Sequence, residues 1–117
     1  MFWRRLAFAL LGIRATIRSE ASFRVQLFLG VAAAGVLALL RPPLIWLALC
    51  AMSASMVLAF ELVNTALEHL ADRLHPERHI AIQRAKDCAA AAVLMASIAA
   101  VIIGGLTVAV SLGWLRT

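Results

Sequence analysis

Hydrophobic residues fill this chain in long blocks, and the polar positions between them follow helical spacings. Residues 2 to 19 alternate arginine with apolar side chains, Arg4, Arg5, Arg14 and Arg18 against Phe2, Trp3, Phe8 and Leu10. This pattern predicts an amphipathic helix lying on a membrane surface, with its arginines reaching toward headgroups. Val25 to Leu40 is a continuous apolar run apart from Gln26, and starting from about residue 22 it is long enough to span a bilayer. Arg41-Pro42-Pro43 stops it, because proline lacks an amide donor and disfavours helix at the residue before it. So short a connection predicts an antiparallel hairpin with a second span over about 44–70. A polar loop is expected from Ala71 to Arg84. A third span begins near Ala85 and covers about 86–113, with small residues that permit close helix contact. The fold class expected is therefore an all-α membrane protein, a surface helix followed by three transmembrane helices, in one domain over 1–117.

One polar stripe breaks the second span. Glu61, Asn64, Glu68 and Asp72 are spaced 3, 4 and 4 apart, which places them on one face of a helix. Carboxylates at membrane depth are costly and mark functional positions. Glu61 follows Ala59-Phe60 well inside the span, whereas Glu68 and Asp72 lie near its end, where a solvated role is also open.

Composition supports the membrane reading. Of 117 residues, 64% are hydrophobic and 15% charged, more apolar than water-soluble domains of this size. The net charge of +5 comes from arginines and a single lysine, Lys86. These charges flank apolar spans instead of forming a patch interleaved with aromatics, so topology explains them better than nucleic acid does. Cys50 and Cys88 both fall in apolar helical sequence and suggest neither a disulfide framework nor a metal cluster. The arginines before the first span argue against a cleavable signal peptide.

Basic residues also set the orientation. Arg4, Arg5, Arg14, Arg18 and Arg24 precede or open the first span, and Arg73, Arg78, Arg84 and Lys86 surround the second connection. The positive-inside rule makes the N-terminus and the 71–86 loop cytoplasmic. All six acidic residues, Glu20, Glu61, Glu68, Asp72, Glu77 and Asp87, then collect on that side with Lys86. Neighbouring carboxylates repel one another unless a cation neutralises them. Mg²⁺ favours carboxylate oxygens and keeps phosphates as further ligands, and lysine suits phosphate oxygens. A carboxylate at the membrane boundary can take a proton from a lipid hydroxyl. These are the parts that phosphoryl transfer requires. There is no G-x-x-x-x-G-K-[ST] run, which excludes a P-loop enzyme. By spacing alone, His69, His75 and His79 form no convincing ligand set.

The run Glu61-Leu62-Val63-Asn64-Thr65-Ala66-Leu67-Glu68, followed by Asp72, resembles the E-x-x-N-[ST]-A-[IL]-E-x-x-x-D signature of the small prokaryotic diacylglycerol kinases. Ala85-Lys86-Asp87 resembles their A-K-D motif, and Glu20-Ala21-Ser22-Phe23-Arg24 their E-A-A-F-R segment. The three blocks are in register, and the likeness covers about Phe8 to Gly113. The resemblance implies a homotrimer in the bacterial inner membrane, with active sites shared between subunits. It also implies ATP, as its Mg²⁺ complex, as donor of a phosphoryl group to a membrane lipid. By position, Glu61 is the implied catalytic base. Glu20 and Glu68 are the implied ligands of the divalent ion, and Asp72 supports them. Phe8, Glu20, Glu68, Glu77, Arg78, His79, Lys86 and Asp87 are implied at the nucleotide. Arg14, Ser22, Phe23, Arg24, Glu61 and Asn64 are implied at the lipid substrate.

The chain departs from the family pattern at several points. Arg78 stands where the E-Y-H loop has tyrosine, and Phe8 replaces the N-terminal tyrosine expected at the nucleotide. Gln26 matches neither of the family's two branches, one of which phosphorylates diacylglycerol and the other undecaprenol. Phe23-Arg24 favours the first branch, and Phe8 to Ile13 with Asn64-Thr65 leans to the second. Diacylglycerol is the expected acceptor, with undecaprenol as the alternative. Outside the kinase reading stand an ion or proton carrier and a structural membrane subunit. The carrier would want ionisable groups along the whole span, and the first two-thirds of the second span has none.

Overall fold

The computed structural model describes residues 1–116, which form four α-helices and no strand. These are α1 (Phe2–Ser19), α2 (Ala21–Leu40), α3 (Leu44–Leu74) and α4 (Ile80–Ser111). α2, α3 and α4 are each long and apolar enough to cross a membrane.

Single residues make the first two breaks. Glu20 alone separates α1 from α2, in extended geometry at φ −112° and ψ 110°. Its amide donates to the Thr16 carbonyl at 2.9 Å, and its own carbonyl accepts from the Arg24 amide at 3.3 Å. Arg24 also turns back on α1, where Nη1 donates to the carbonyls of Ile17 at 2.8 Å and Arg18 at 3.1 Å. The last carbonyls of a helix lack intrahelical partners, and a cation there meets the negative end of the helix dipole. At the second break Arg41 ends α2 in the left-handed region, φ 50° and ψ 59°, and Pro43 caps the start of α3.

The third connection is shorter than the sequence pattern suggests. α3 runs on to Leu74 and α4 starts at Ile80, so the expected loop over Ala71 to Arg84 contracts to residues 75–79. No helix breaker precedes Pro76, and residues 71–74, Ala-Asp-Arg-Leu, form the last turn of α3. His79 then caps α4, with Nδ1 accepting from the Ala81 amide at 3.1 Å. A side-chain acceptor in this place satisfies one of the free amides of the first turn. Lys86 and Asp87 consequently sit inside α4, past its first turn, rather than opening it. α4 ends at Ser111, slightly short of the expected limit at 113.

The closest pairing is between α3 and α4; α2 packs on α3 more lightly, and α1 touches both α2 and α3. With about 1.5 Å of rise per residue, α3 and α4 are each roughly 46–48 Å long. A hydrocarbon layer is about 30 Å thick, so both helices can carry polar ends past it. α3 buries Ser53, Val57, Glu61 and Thr65, one residue per turn. Thr107 of α4 is fully buried, with its hydroxyl donating to the Ile103 carbonyl at 2.7 Å and lying 3.2 Å from Cys50 Sγ. Small polar groups satisfied in this way let helices approach closely where no water is available. Phe28, Leu39, Met95 and Val101, by contrast, are largely exposed. Such faces suit acyl chains or other transmembrane helices.

Candidate functional site

The polar side chains of the stripe gather at one end of the bundle, where the α1–α2 joint meets the last turns of α3 and the first turns of α4. Glu61 is the deepest, with 5% of its surface exposed. It is held on the buried face of α3, one turn before Thr65. The Ser22 hydroxyl, from the first turn of α2, donates to Glu61 Oε2 at 3.4 Å. One turn further along α3, Asn64 Nδ2 donates to Glu68 Oε1, also at 3.4 Å. The other side of that amide is unused: Asn64 Oδ1 is buried and has no hydrogen-bond partner among the described residues. Glu20 and Glu68 both lie within electrostatic range of Glu61. Glu20 is half-buried and is met from α3 by His69, whose Nε2 lies 3.3 Å from Glu20 Oε1.

A second group continues the stripe outward. Lys86 of α4 pairs with Asp72 of α3. Asp87, one residue on, accepts from Gln83 Nε2 at 2.9 Å. Between them and the 75–79 loop lies a cavity of about 680 Å³, bordered by Asp72, Glu77, Arg78, His79 and Lys86. The loop is braced from within. His75 Nδ1 lies 2.9 Å from the Glu77 carbonyl, and the rings of His75 and His79 meet edge to face with centroids 5.7 Å apart.

Not every expected site residue joins these two groups. Phe8 and Arg14 lie on exposed positions of α1. Phe23 is turned into the interior, 3% exposed, and leaves little surface for a lipid to touch. Arg24 is engaged with the end of α1. His69, which spacing alone assigns to the surface, is the side chain that the sequence pattern did not single out and that here meets a predicted carboxylate, Glu20; Gln83 and His75 are the others in these two groups. The only local signal for His69 is its place next to Glu68.

The chemistry of the donor set suits a hard divalent cation. Glu68, the spare oxygen of Asn64 and the nearby Glu20 are all oxygen donors, and an orphaned buried carbonyl oxygen is a natural ligand or water anchor. Among the described residues, no three or more His, Cys, Asp or Glu side chains converge tightly enough to close a cage. Mg²⁺ does not require one, since it keeps waters and phosphate oxygens in its shell.

Residues 7–108 match the family model for prokaryotic diacylglycerol kinase. The chain belongs to the prokaryotic diacylglycerol kinase family. It is 40% identical over 99 residues to a diacylglycerol kinase of Synechocystis sp., covering 84% of this chain and 57% of that protein. The chain thus spans a little over half the length of that relative. A diacylglycerol kinase of Haemophilus influenzae is 33% identical over 100 residues, 85% of both chains. One from Escherichia coli K12 is 37% identical over 91 residues, 78% of this chain and 75% of the relative. Within the prokaryotic diacylglycerol kinase family, Glu61, Asn64, Glu68 and Asp72 fall inside the matched region together with Lys86 and Asp87.

Proposed function

We propose that the protein is a lipid kinase that moves the γ-phosphoryl group of ATP to the hydroxyl of diacylglycerol, giving phosphatidic acid at the cytoplasmic face of the inner membrane. The observation that carries this reading is the placement of Glu61. It is a carboxylate buried among helices, held by a hydroxyl from a second helix, at the same end of the bundle as the only lysine. The names of the relatives supply the acceptor.

Within this reading, Glu61 accepts the proton of the lipid hydroxyl. The freed oxygen attacks the γ-phosphorus as the bond to the β-phosphate oxygen breaks, and ADP leaves. Ser22 fixes the Glu61 carboxylate so that one oxygen stays available for that proton. Glu20, Asn64 and Glu68 would hold Mg²⁺, which supplies positive charge for the triphosphate. Lys86 adds a point charge for the phosphates, with Asp72 and Asp87 beside it. Glu77, Arg78 and His79 border the cavity that would take the rest of the nucleotide, and Phe8, exposed on α1, would reach a nucleotide only at a shared site, from another subunit. Arg14 stands on the lipid side, and α1 lies in the plane of the interface, with Trp3 and Phe2 among the headgroups.

Three copies sharing their sites complete the proposal. One chain supplies two neighbouring carboxylates and a wide apolar exterior, and a further subunit can cover the stripe and extend the ligand set. Radiolabelled ATP offered in parallel with diacylglycerol and with undecaprenol tests the reading. Label in phosphatidic acid supports it, label in undecaprenyl phosphate reassigns the acceptor, and label in neither removes the kinase. An active monomer in detergent would remove the shared site.

A further inference from the structure

We propose that His69 is a positioning residue for Glu20, holding that carboxylate in the orientation a divalent cation at the stripe requires; this rests on the reading of Glu20 as an ion ligand. Glu20 occupies an unusual place. It is the one residue between two helices, and its backbone amide and carbonyl are both committed, to Thr16 and Arg24. Its side chain makes no cap bond to α2. A glutamate leaving a helix joint has three freely turning bonds, and fixing them costs conformational entropy at the moment an ion binds. His69 is the side chain that meets it, across 49 positions of sequence.

The chemistry of this pair has one sense. A carboxylate only accepts, so Nε2 of His69 carries the hydrogen and donates to Oε1. Oε2 of Glu20 is left free for a cation. The imidazole is itself 61% exposed, so its part is the hydrogen bond and not the filling of a core. The surroundings make that bond matter. α1 meets α3 across a cavity of about 430 Å³, bordered by Gly12, Thr16, Leu62, Thr65 and His69. With so open a seam, the His69–Glu20 bond is a specific tie between the α1–α2 joint and the helix that carries Glu61 and Glu68. Partners that orient ligating carboxylates commonly set metal affinity without touching the metal.

Mn²⁺ binding, read by electron paramagnetic resonance on the full chain in lipid nanodiscs, tests this together with the Mg²⁺ dependence of turnover. In His69→Ala the half-saturating metal concentration rises about tenfold in both measurements, at the low end for an outer-shell partner because the pair is partly exposed. The kcat at saturating metal stays within about twofold of the parent. His69→Gln, whose amide N–H stands in for Nε2, returns the metal dependence to near the parent value. His69→Leu behaves as alanine does and serves in its place should alanine cost the fold. Glu20→Gln is measured alongside. If it weakens Mn²⁺ binding while His69→Ala does not, the positioning role is overturned and the ligand reading stands. If Glu20→Gln leaves Mn²⁺ binding unchanged, both are overturned. A fall in kcat with unchanged metal dependence, or a glutamine variant as impaired as alanine, also overturns the positioning role.

Discussion

Lys86 reaches from α4 to Asp72 on α3, fourteen positions earlier, and this pair is a direct side-chain tie between the two helices at the polar end. The aspartate is 63% exposed, so the pair contributes only about 0–1 kcal/mol to stability. Its consequence is placement: Lys86 is kept at the border of the cavity beside the 75–79 loop. Asp72→Asn should shift the melting temperature little and raise KM for ATP several-fold. Lys86→Met should abolish transfer while the helices and the oligomer persist. Equal KM for ATP in the aspartate variant and the parent would show that the pair has no part in nucleotide binding.

The role of Glu61 can be separated from its packing. Glu61→Gln keeps the size and the hydrogen bond from Ser22 but cannot take a proton. General bases contribute about 10²–10⁴-fold to rate, so kcat should fall by that range with helix content and oligomeric state unchanged. Near-parental turnover in purified protein would remove Glu61 from the base role.

Ser22→Ala tests the support under that base. The bond is long, 3.4 Å, and hydrogen bonds to charged groups are worth about 1.5–3 kcal/mol at good geometry. A long bond belongs at the low end, which predicts a fall in kcat of about tenfold with KM for both substrates nearly unchanged. Steady-state kinetics in mixed micelles would distinguish this from a lipid-contact role, which would raise KM for the lipid instead.

Much of this architecture is legible in the order of residues. Long apolar runs and Pro42-Pro43 place α2 and α3 closely, and the arginine periodicity places α1. The third connection differs from the sequence pattern, because charged residues scattered over 71–84 suggest a loop where most of the segment is helix. Asp72, Arg73, Gln83 and Arg84 are polar yet helical, and Ala71, Leu74 and Ile80 to Ile82 continue the helices around them, since α3 and α4 are longer than an apolar layer requires. Spacing brings Glu61, Asn64 and Glu68 together, as one helix face must. It cannot reveal contacts between elements distant in sequence, so the partnership of His69 with Glu20 is invisible there. Arg24 shows the same limit from the other side. A motif names the residue, and only the fold shows its guanidinium spent on the end of α1.

Metal removal should leave the fold in place. The described residues close no cage of three or more ligating side chains, and in the proposed reading Glu20 and Glu68, with waters and phosphates, would make a site that fills with the nucleotide. Chelation by EDTA should stop turnover completely and leave helical circular dichroism and melting temperature nearly unchanged. A drop of many degrees on chelation would instead make the ion structural.

Arg78 offers the sharpest test of the nucleotide side, because it stands where the family's loop has an aromatic ring. It lies at the edge of the 680 Å³ cavity, beside His79, whose Nδ1 accepts from the Ala81 amide as the α4 cap. A guanidinium and a phenol share a flat face that can stack on a base, and a lysine has none. Stacking is worth about 1–3 kcal/mol per base when removed by alanine. Arg78→Ala should therefore raise KM for ATP about tenfold at nearly constant kcat, and Arg78→Tyr should restore it. Arg78→Lys decides between the two properties of the arginine. If lysine behaves as alanine, the flat face is what binds; if lysine behaves as the parent, charge alone suffices and the stacking account fails.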